Sequence, residues 1–241
     1  MIHPETAPDI GRGSPLSQRA DDGTLIVLTD VNGDPDGQLS ASLIARHETA
    51  FPKHHFFTPL LRNRSGARAS AAQVQSHQWL LEVDGAPAGY VVFDSNLHRT
   101  IAIVHFVQLD PAVGTLKVGQ RRLLAWLYRT IIEQLANDCG NVPVLGLVGD
   151  APRTNVPIYR LIGMRDLGIE YYEPKSAAQW QGPGSELRRL HLLWLPPEGI
   201  EPATIEGQAR EAGAAAFLLD HYRFDADIPW VASAVGAERT R

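Results

Sequence analysis

Residues 101–124, IAIVHFVQLDPAVGTLKVGQRRLL, constrain this chain more than any other stretch. Ile101–Leu109 is apolar on both faces, and a strand of that kind belongs in the middle of a sheet, covered on both sides. Asp110-Pro111 ends it, because proline brings no N–H to a strand ladder. A loop with Gly114, Lys117 and Gly119 follows. A helix is expected over 119–137, with Leu123, Leu127, Ile131 and Leu135 at helical spacing. A strand that passes into a helix through a glycine-bearing loop outlines an anion site. The first N–H groups of a helix lack intrahelical partners and lie at the positive end of its dipole. Lys117, Gln120 and the N–H groups of Val118, Gly119 and Gln120 are the groups expected to meet phosphate oxygens.

The rest of the chain reads as alternating strands and helices. Strands are expected over 24–31, 79–83, 89–93, 142–148, 166–172 and 187–195, the second and third joined by a turn at Asp84-Gly85. Asn-Gly-Asp-Pro closes the first strand, and Ser40 is expected to cap a helix over 41–50 that Phe51-Pro52 breaks. A second short helix begins at the aromatic and basic segment Lys53–Phe57. A polar loop over 62–68 and a helix over 69–77 follow, then short and Ala-rich helices over 155–162 and 203–221. Residues 1–23 are polar and rich in Pro and Gly, and read as a mobile arm. There is no internal repeat. Alternation on this scale gives one mixed α/β layer structure.

Bulk properties narrow the function. The net charge of −5 and the lack of a dense Lys/Arg run argue against a nucleic-acid binder or a membrane-surface protein. The single cysteine, Cys139, excludes an internal disulfide framework and fits a reducing, cytoplasmic setting. No apolar run reaches the roughly 18–20 residues of a membrane span. The residues before 22 lack the apolar core of a signal peptide.

Residues 24–195 resemble the GNAT superfamily of acyl-CoA N-acyltransferases. The similarity is strongest at 101–124 and 155–172. Asp110-Pro111 and the loop after it are similar to the family's strand end and its Arg/Gln-x-x-Gly-x-Gly/Ala pyrophosphate loop. In one register Gly119 is the final Gly, Gly114 stands at the leading position and Lys117 at the first Gly. In the other Gly119 is the first Gly, Leu116 leads and Arg121 is the second. Tyr159-Arg160-Leu161-Ile162-Gly163-Met164 looks like the family's Tyr-x-x-x-Gly-Phe. The resemblance implies a GNAT-like mixed central sheet with helices on both faces. Beyond it, residues 196–241 read as a C-terminal helical extension, packed on the domain or on a partner copy as a homodimer. The resemblance implies acetyl-CoA as co-substrate and a small-molecule or peptide amine as acceptor.

It also implies roles for residues. Tyr159 would protonate the departing thiolate, its phenol being neutral below about pH 10. Asn155 would hold the pantetheine arm. Backbone groups from Val107 to Leu109 would face the thioester oxygen. His105 falls where many members place a basic Glu, and an imidazole has a suitable pKa of about 6.5. Glu82 and a water chain are other routes for the amine proton, and a core histidine is the bland reading of His105. No metal is required, since a thioester is already activated, and His47, His54 and His55 lack ligand spacing on one helix face. Two other readings stay open: a longer-chain or carrier-protein donor, and a non-catalytic, ligand-sensing domain of the same fold.

Overall fold

The computed structural model describes residues 15–32, 37–66, 73–140 and 142–236. In chain order its elements are β1 (Leu16–Arg19), β2 (Leu25–Asp30), α1 (Gln38–Ala50), α2 (Thr58–Gly66), β3 (Val74–Val83), β4 (Ala86–Asn96), β5 (Ile101–Leu109), β6 (Lys117–Val118), β7 (Arg121–Arg122) and α3 (Leu123–Asp138). After these come β8 (Gly146–Ala151), α4 (Val156–Leu161), β9 (Arg165–Asp166), β10 (Tyr172–Pro174), β11 (Leu187–Arg189), β12 (His191–Leu195), α5 (Pro202–Ala215) and α6 (Pro229–Ala234). Eight strands form one sheet in the order β1-β2-β3-β4-β5-β8-β12-β9, while β6–β7 and β10–β11 form separate pairs. Every neighbour in the large sheet is antiparallel except β5 and β8.

Period-two alternation sorts the sheet's side chains onto two faces. Trp79, Leu81, Val91, Phe93, Ala102 and Val104 pack with Leu123, Leu127, Ile131 and Leu135 of α3. On the opposite face Leu80, Tyr90, Val92 and Phe106 pack with Leu43 of α1 and Leu61 of α2. Ile101, Ile103, Val148 and Trp194 pack there with Ala209 of α5 and with Phe217 and Leu218 beyond it. Helices thus cover both faces, as the fold class implied, and the described part of the C-terminal extension packs on the sheet. Among the described residues no helix is long and apolar enough to cross a membrane.

A buried ionic triad ties β2, β3 and the end of α3 together. His77 Nδ1 lies 2.7 Å from Asp30 Oδ2, and its Nε2 lies 2.9 Å from Asp138 Oδ2. Ser95 Oγ donates to the same Asp138 oxygen at 2.5 Å, and Gln134 Nε2 donates to Oδ1 at 2.9 Å. Burial alone would push His77 down, but its hydrogen bonds to Asp138 and Asp30 outweigh that and raise it to about 9.

At the start of β8, Gly146 has φ +99°, and a Cβ there would lie 2.3 Å from Leu195 O. Backbone cannot retreat as a side-chain tip can. Gly146→Ala is expected to cost roughly 2–4 kcal/mol through left-handed strain and overpacking together, read as a shift in the denaturation midpoint.

Several elements differ from the sequence reading. Residues 16–19, assigned to a mobile arm, form β1 on the sheet edge, with Leu16 paired to Leu28. Ser40 lies inside α1, and its hydroxyl donates to Val31 O at 3.2 Å instead of capping the helix. The polar loop expected from residue 62 is helical through residue 66 in α2. Residues 74–77, expected to be helical, extend β3, where His77 faces Phe93 across a ring stacking of 4.6 Å. The turn residues 33–35 and positions 69–72 lie outside the described residues. The strand expected over 142–148 lies at Gly146–Ala151. The strands expected over 166–172 and 187–195 each divide, one part joining the sheet and the other forming the β10–β11 pair.

Candidate active site

Strands β5 and β8 run side by side and then part. Their pairing covers Ile101–Val104 against Gly146–Gly149 and goes no further. Beyond it β5 stays paired to β4, while β8 stays paired to β12 through Ala151–His191. The cause is a bulge. Phe93 pairs with Val104 and Val92 with Phe106, so His105 is an extra residue in β5. A bulge bends its strand and increases the local twist. It also turns Phe106 onto the face of Ile101 and Ile103, which His105 shares, 6.0 Å from the Phe217 ring.

The gap opens into a cavity of about 140 Å³. Val104–Val107 of β5 and Gly149–Ala151 of β8 form its walls, with Tyr159 and Asn155 on one side and Phe51, Phe57 and His54 on the other. Burial first, then the charges of Arg188 and His47, lower His54 to about 4, so it is neutral at physiological pH.

Tyr159 projects from α4 into this space. Its ring stacks on that of Tyr128 from α3, centroids 6.3 Å apart. Side-chain hydrogen bonding links the two hydroxyls. Burial raises the pKa of Tyr159, which holds the phenol neutral.

Facing Tyr159 is a carboxylate pair that the sequence reading did not assign a role. Asp150 Oδ2 accepts hydrogen bonds from Tyr171 at 2.8 Å and Tyr222 at 3.3 Å. Tyr222 also reaches Glu173 Oε2 at 3.1 Å, and Arg188 donates to Glu173 Oε1 through Nε at 2.6 Å and through Nη2. Burial, and then the charge of Glu173, raise Asp150 to about 7. Asp150 is deep in the fold yet partly accessible, because what it meets is the cavity.

The loop after β5 is not a helix-borne anion cradle. Lys117–Val118 and Arg121–Arg122 form a hairpin, and its turn residues Gly119 and Gln120 have φ values of 55° and 67°. Two successive positive φ values make a tight hairpin turn and delay the helix to Leu123, four residues later than expected. The turn's N–H groups already have an anion: Gly119 and Gln120 donate to the two Asp21 carboxylate oxygens at 2.8 and 2.9 Å. Asp21 N–H in turn donates to Lys117 O at 2.8 Å.

The cavity thus brings together four of the residues singled out in the sequence, Tyr159, His105, Val107 and Asn155. Leu109, Gly114, Lys117, Val118, Gly119 and Gln120 lie outside its lining, as does Glu82 on β3. His105 Nε2 lies 2.8 Å from Asp94 Oδ2, and its ring centre lies 4.2 Å from that of His221. The sequence reading missed Asp150, Arg188 and His221, and it placed Glu173 near the acceptor pocket only as part of Tyr172-Glu173-Pro174. The one local signal was a carboxylate near the end of an otherwise apolar strand, at Asp150.

No family model and no curated protein matches the chain. Among solved structures it is similar to an acetyltransferase of the GNAT family from Streptococcus pneumoniae, at 15% identity and a TM-score of 0.43, covering 71% of this chain and 99% of that one. A GNAT-family acetyltransferase from Bacillus anthracis aligns at 11% identity and a TM-score of 0.43, over 75% and 98% of the two chains. RimL, a ribosomal L7/L12 alpha-N-protein acetyltransferase in complex with coenzyme A, aligns at 10% identity and a TM-score of 0.46, over 73% and 96%.

Proposed function

We propose that this chain transfers an acyl group from a thioester, in the simplest case acetyl-coenzyme A, directly to an amine. The observation that carries the reading is the parting of β5 and β8 at His105, which sets Tyr159 and Asp150 around one cavity beside a strand edge without a ladder partner. An extended thioester arm fits that gap, hydrogen-bonded to the free edge of β5 at Val107–Leu109. A backbone N–H there supports the developing oxyanion. Asp150 takes the proton of the ammonium so that the neutral amine attacks. Tyr159 gives its proton to the departing thiolate. Direct attack needs both reactants aligned in one enclosed space, which the cavity between the strands provides.

The acceptor lies toward Phe51, Phe57 and Phe106, whose rings suit the apolar part of an amine. The phosphates of the coenzyme lie toward the β6–β7 hairpin, where Lys117 and Arg122 stand opposite each other and exposed. Asp21 favours a second reading. It holds the turn's N–H groups, which suits a donor without a pyrophosphate or a non-catalytic domain.

Thermal unfolding with acetyl-CoA, free coenzyme A or ATP separates the two. At about 100 times Kd a specific ligand adds roughly 2.7 kcal/mol, or about 5–10 °C for a chain of this size. A shift with acetyl-CoA well beyond that with ATP supports the first reading, and no shift supports the second. Given activity, Tyr159→Phe is expected to lower turnover about 10²-fold with KM for the donor little changed. Turnover equal to that of the unaltered protein would remove Tyr159 from the reaction.

A further inference from the structure

We propose that Asp94, His105 and His221 form a binding site for one divalent transition-metal ion at the inner end of the cavity. Each residue offers one ligand atom, and these atoms all lie within 4.8 Å of one another. Three separate elements supply them: β4, β5 and the turn that follows α5.

The backbone is irregular at two of the three positions, and both imidazoles converge on the same point. His105 is the extra residue of the β5 bulge and lies beside Asp94 of the neighbouring strand. After α5 the helix widens to a π turn over Ala216–His221, closed by Tyr222 N–H donating to Phe217 O at 2.8 Å. The extra residue in that turn carries His221 over the ring of His105. Single π turns inside helices recur at functional sites.

The distances suit an ion. Bonds of about 2.0–2.1 Å in a tetrahedral site need donor atoms about 3.3 Å apart. Asp94 Oδ2 and His105 Nε2, at 2.8 Å, are already that close, and the widest gap in the set closes by at most about 1.5 Å. Two imidazoles bound at the tetrahedral angle by nitrogens about 2.1 Å from one ion have ring centres about 5.2 Å apart. The His105 and His221 centres are 4.2 Å apart, so loading the ion separates the rings by about 1 Å.

The surroundings suit one as well. Ser76 Oγ donates to Asp94 Oδ1 at 2.7 Å, which turns Oδ2 toward His105, the outer contact expected of a ligating carboxylate. Two histidines and one carboxylate match zinc or ferrous iron better than calcium or magnesium. His105 and His221 both line the cavity, so the remaining coordination positions open into it. Such an ion would present a Lewis-acidic centre to whatever occupies that space.

Binding is read with the metal alone, independently of any acyl donor. Tag-free full-length protein is stripped with a chelator, then titrated with zinc chloride by calorimetry and with cobalt chloride by visible absorption. One ion per chain is expected, with the absorption of cobalt in a low-coordinate nitrogen and oxygen site. His221→Ala and His105→Ala should each weaken binding by at least about 100-fold, and Ser76→Ala by about 10–100-fold. Asp94→Asn keeps the side-chain shape and should also lose the ion. His98→Ala, on the exposed surface, should bind as the unaltered protein does. Circular dichroism of each variant confirms that it is folded. Failure of the unaltered protein to saturate with either metal would overturn the site, and so would unchanged binding by folded His221→Ala or Asp94→Asn.

Discussion

His77→Gln is expected to cost about 3–5 kcal/mol of folding stability, on the order of 6–20 °C in Tm for a chain of this length. The native triad holds one imidazolium between Asp30 and Asp138, all three side chains buried. Removing the cation leaves two carboxylates facing each other away from water. Glutamine can donate to one of them and neutralise neither. Desolvation makes a lone buried charge far more costly than a missing surface pair. A loss below about 1 kcal/mol would show that the site tolerates the unpaired carboxylates and that the triad contributes no more than a surface pair does.

The same triad sets a pH dependence. Folding raises His77 from 6.5 to about 9. The stabilisation is therefore full below pH 6.5 and is lost as pH rises through about 9. Asp138 behaves oppositely. Burial alone would raise it, but hydrogen bonding and charge from His77, with help from Ser95 and Gln134, hold it below its usual value. Its contribution is present above the usual carboxylate value and is lost as pH falls through the lowered one. The unaltered protein should lose Tm between pH 6.5 and 9, and His77→Gln should lose that slope. Guanidinium unfolding at several pH values measures both.

What was legible in the sequence was what local pattern encodes. Strand β5 showed as a run apolar on both faces. The hydrophobic stripe of α3 showed at helical spacing, although its start did not. Two positive φ values at Gly119 and Gln120 build a hairpin turn where the pattern read as a first helical turn. Nothing local reveals that Asp21, about a hundred residues earlier, fills that turn's N–H groups. Tyr159 and Asn155 could be singled out in the sequence because Tyr159–Met164 resembles a short Tyr-x-x-x-Gly-Phe phrase and Asn155 stands one turn before it, and both line the cavity. Asp150, Glu173 and Tyr222 could not be joined in this way, since they meet only when β8, β10 and the segment after α5 fold together. His77 was read as the end of a short helix over 69–77. Its place in a strand follows from a partner on α3 that no neighbouring residue announces. Buried polar networks of this kind are tertiary, and residue spacing carries little trace of them.

Asp150→Asn should lower turnover by about 10²–10⁴-fold if Asp150 is the base and should also make the fold more stable at neutral pH. The first effect follows from position and charge. The carboxylate lines the same cavity as Tyr159 and is raised to about 7, so it is ionised often enough to accept a proton and basic enough to hold it. The rate should rise with pH through about 7 in the unaltered protein, and that acidic limb should vanish in the variant. The second effect follows from linkage. Folding raises this carboxyl, so the native state binds its proton more tightly than the unfolded chain does. Stability therefore falls as pH rises from the unfolded value of 3.8 toward about 7. Asparagine keeps the oxygen that Tyr171 and Tyr222 donate to and carries no charge to bury beside Glu173. A group retained for chemistry at a cost in stability shows opposite signs in the two measurements. A purely structural Asp150 would lose stability on substitution and leave the acidic limb in place. Melting curves and a pH–rate profile on the same two proteins distinguish these cases.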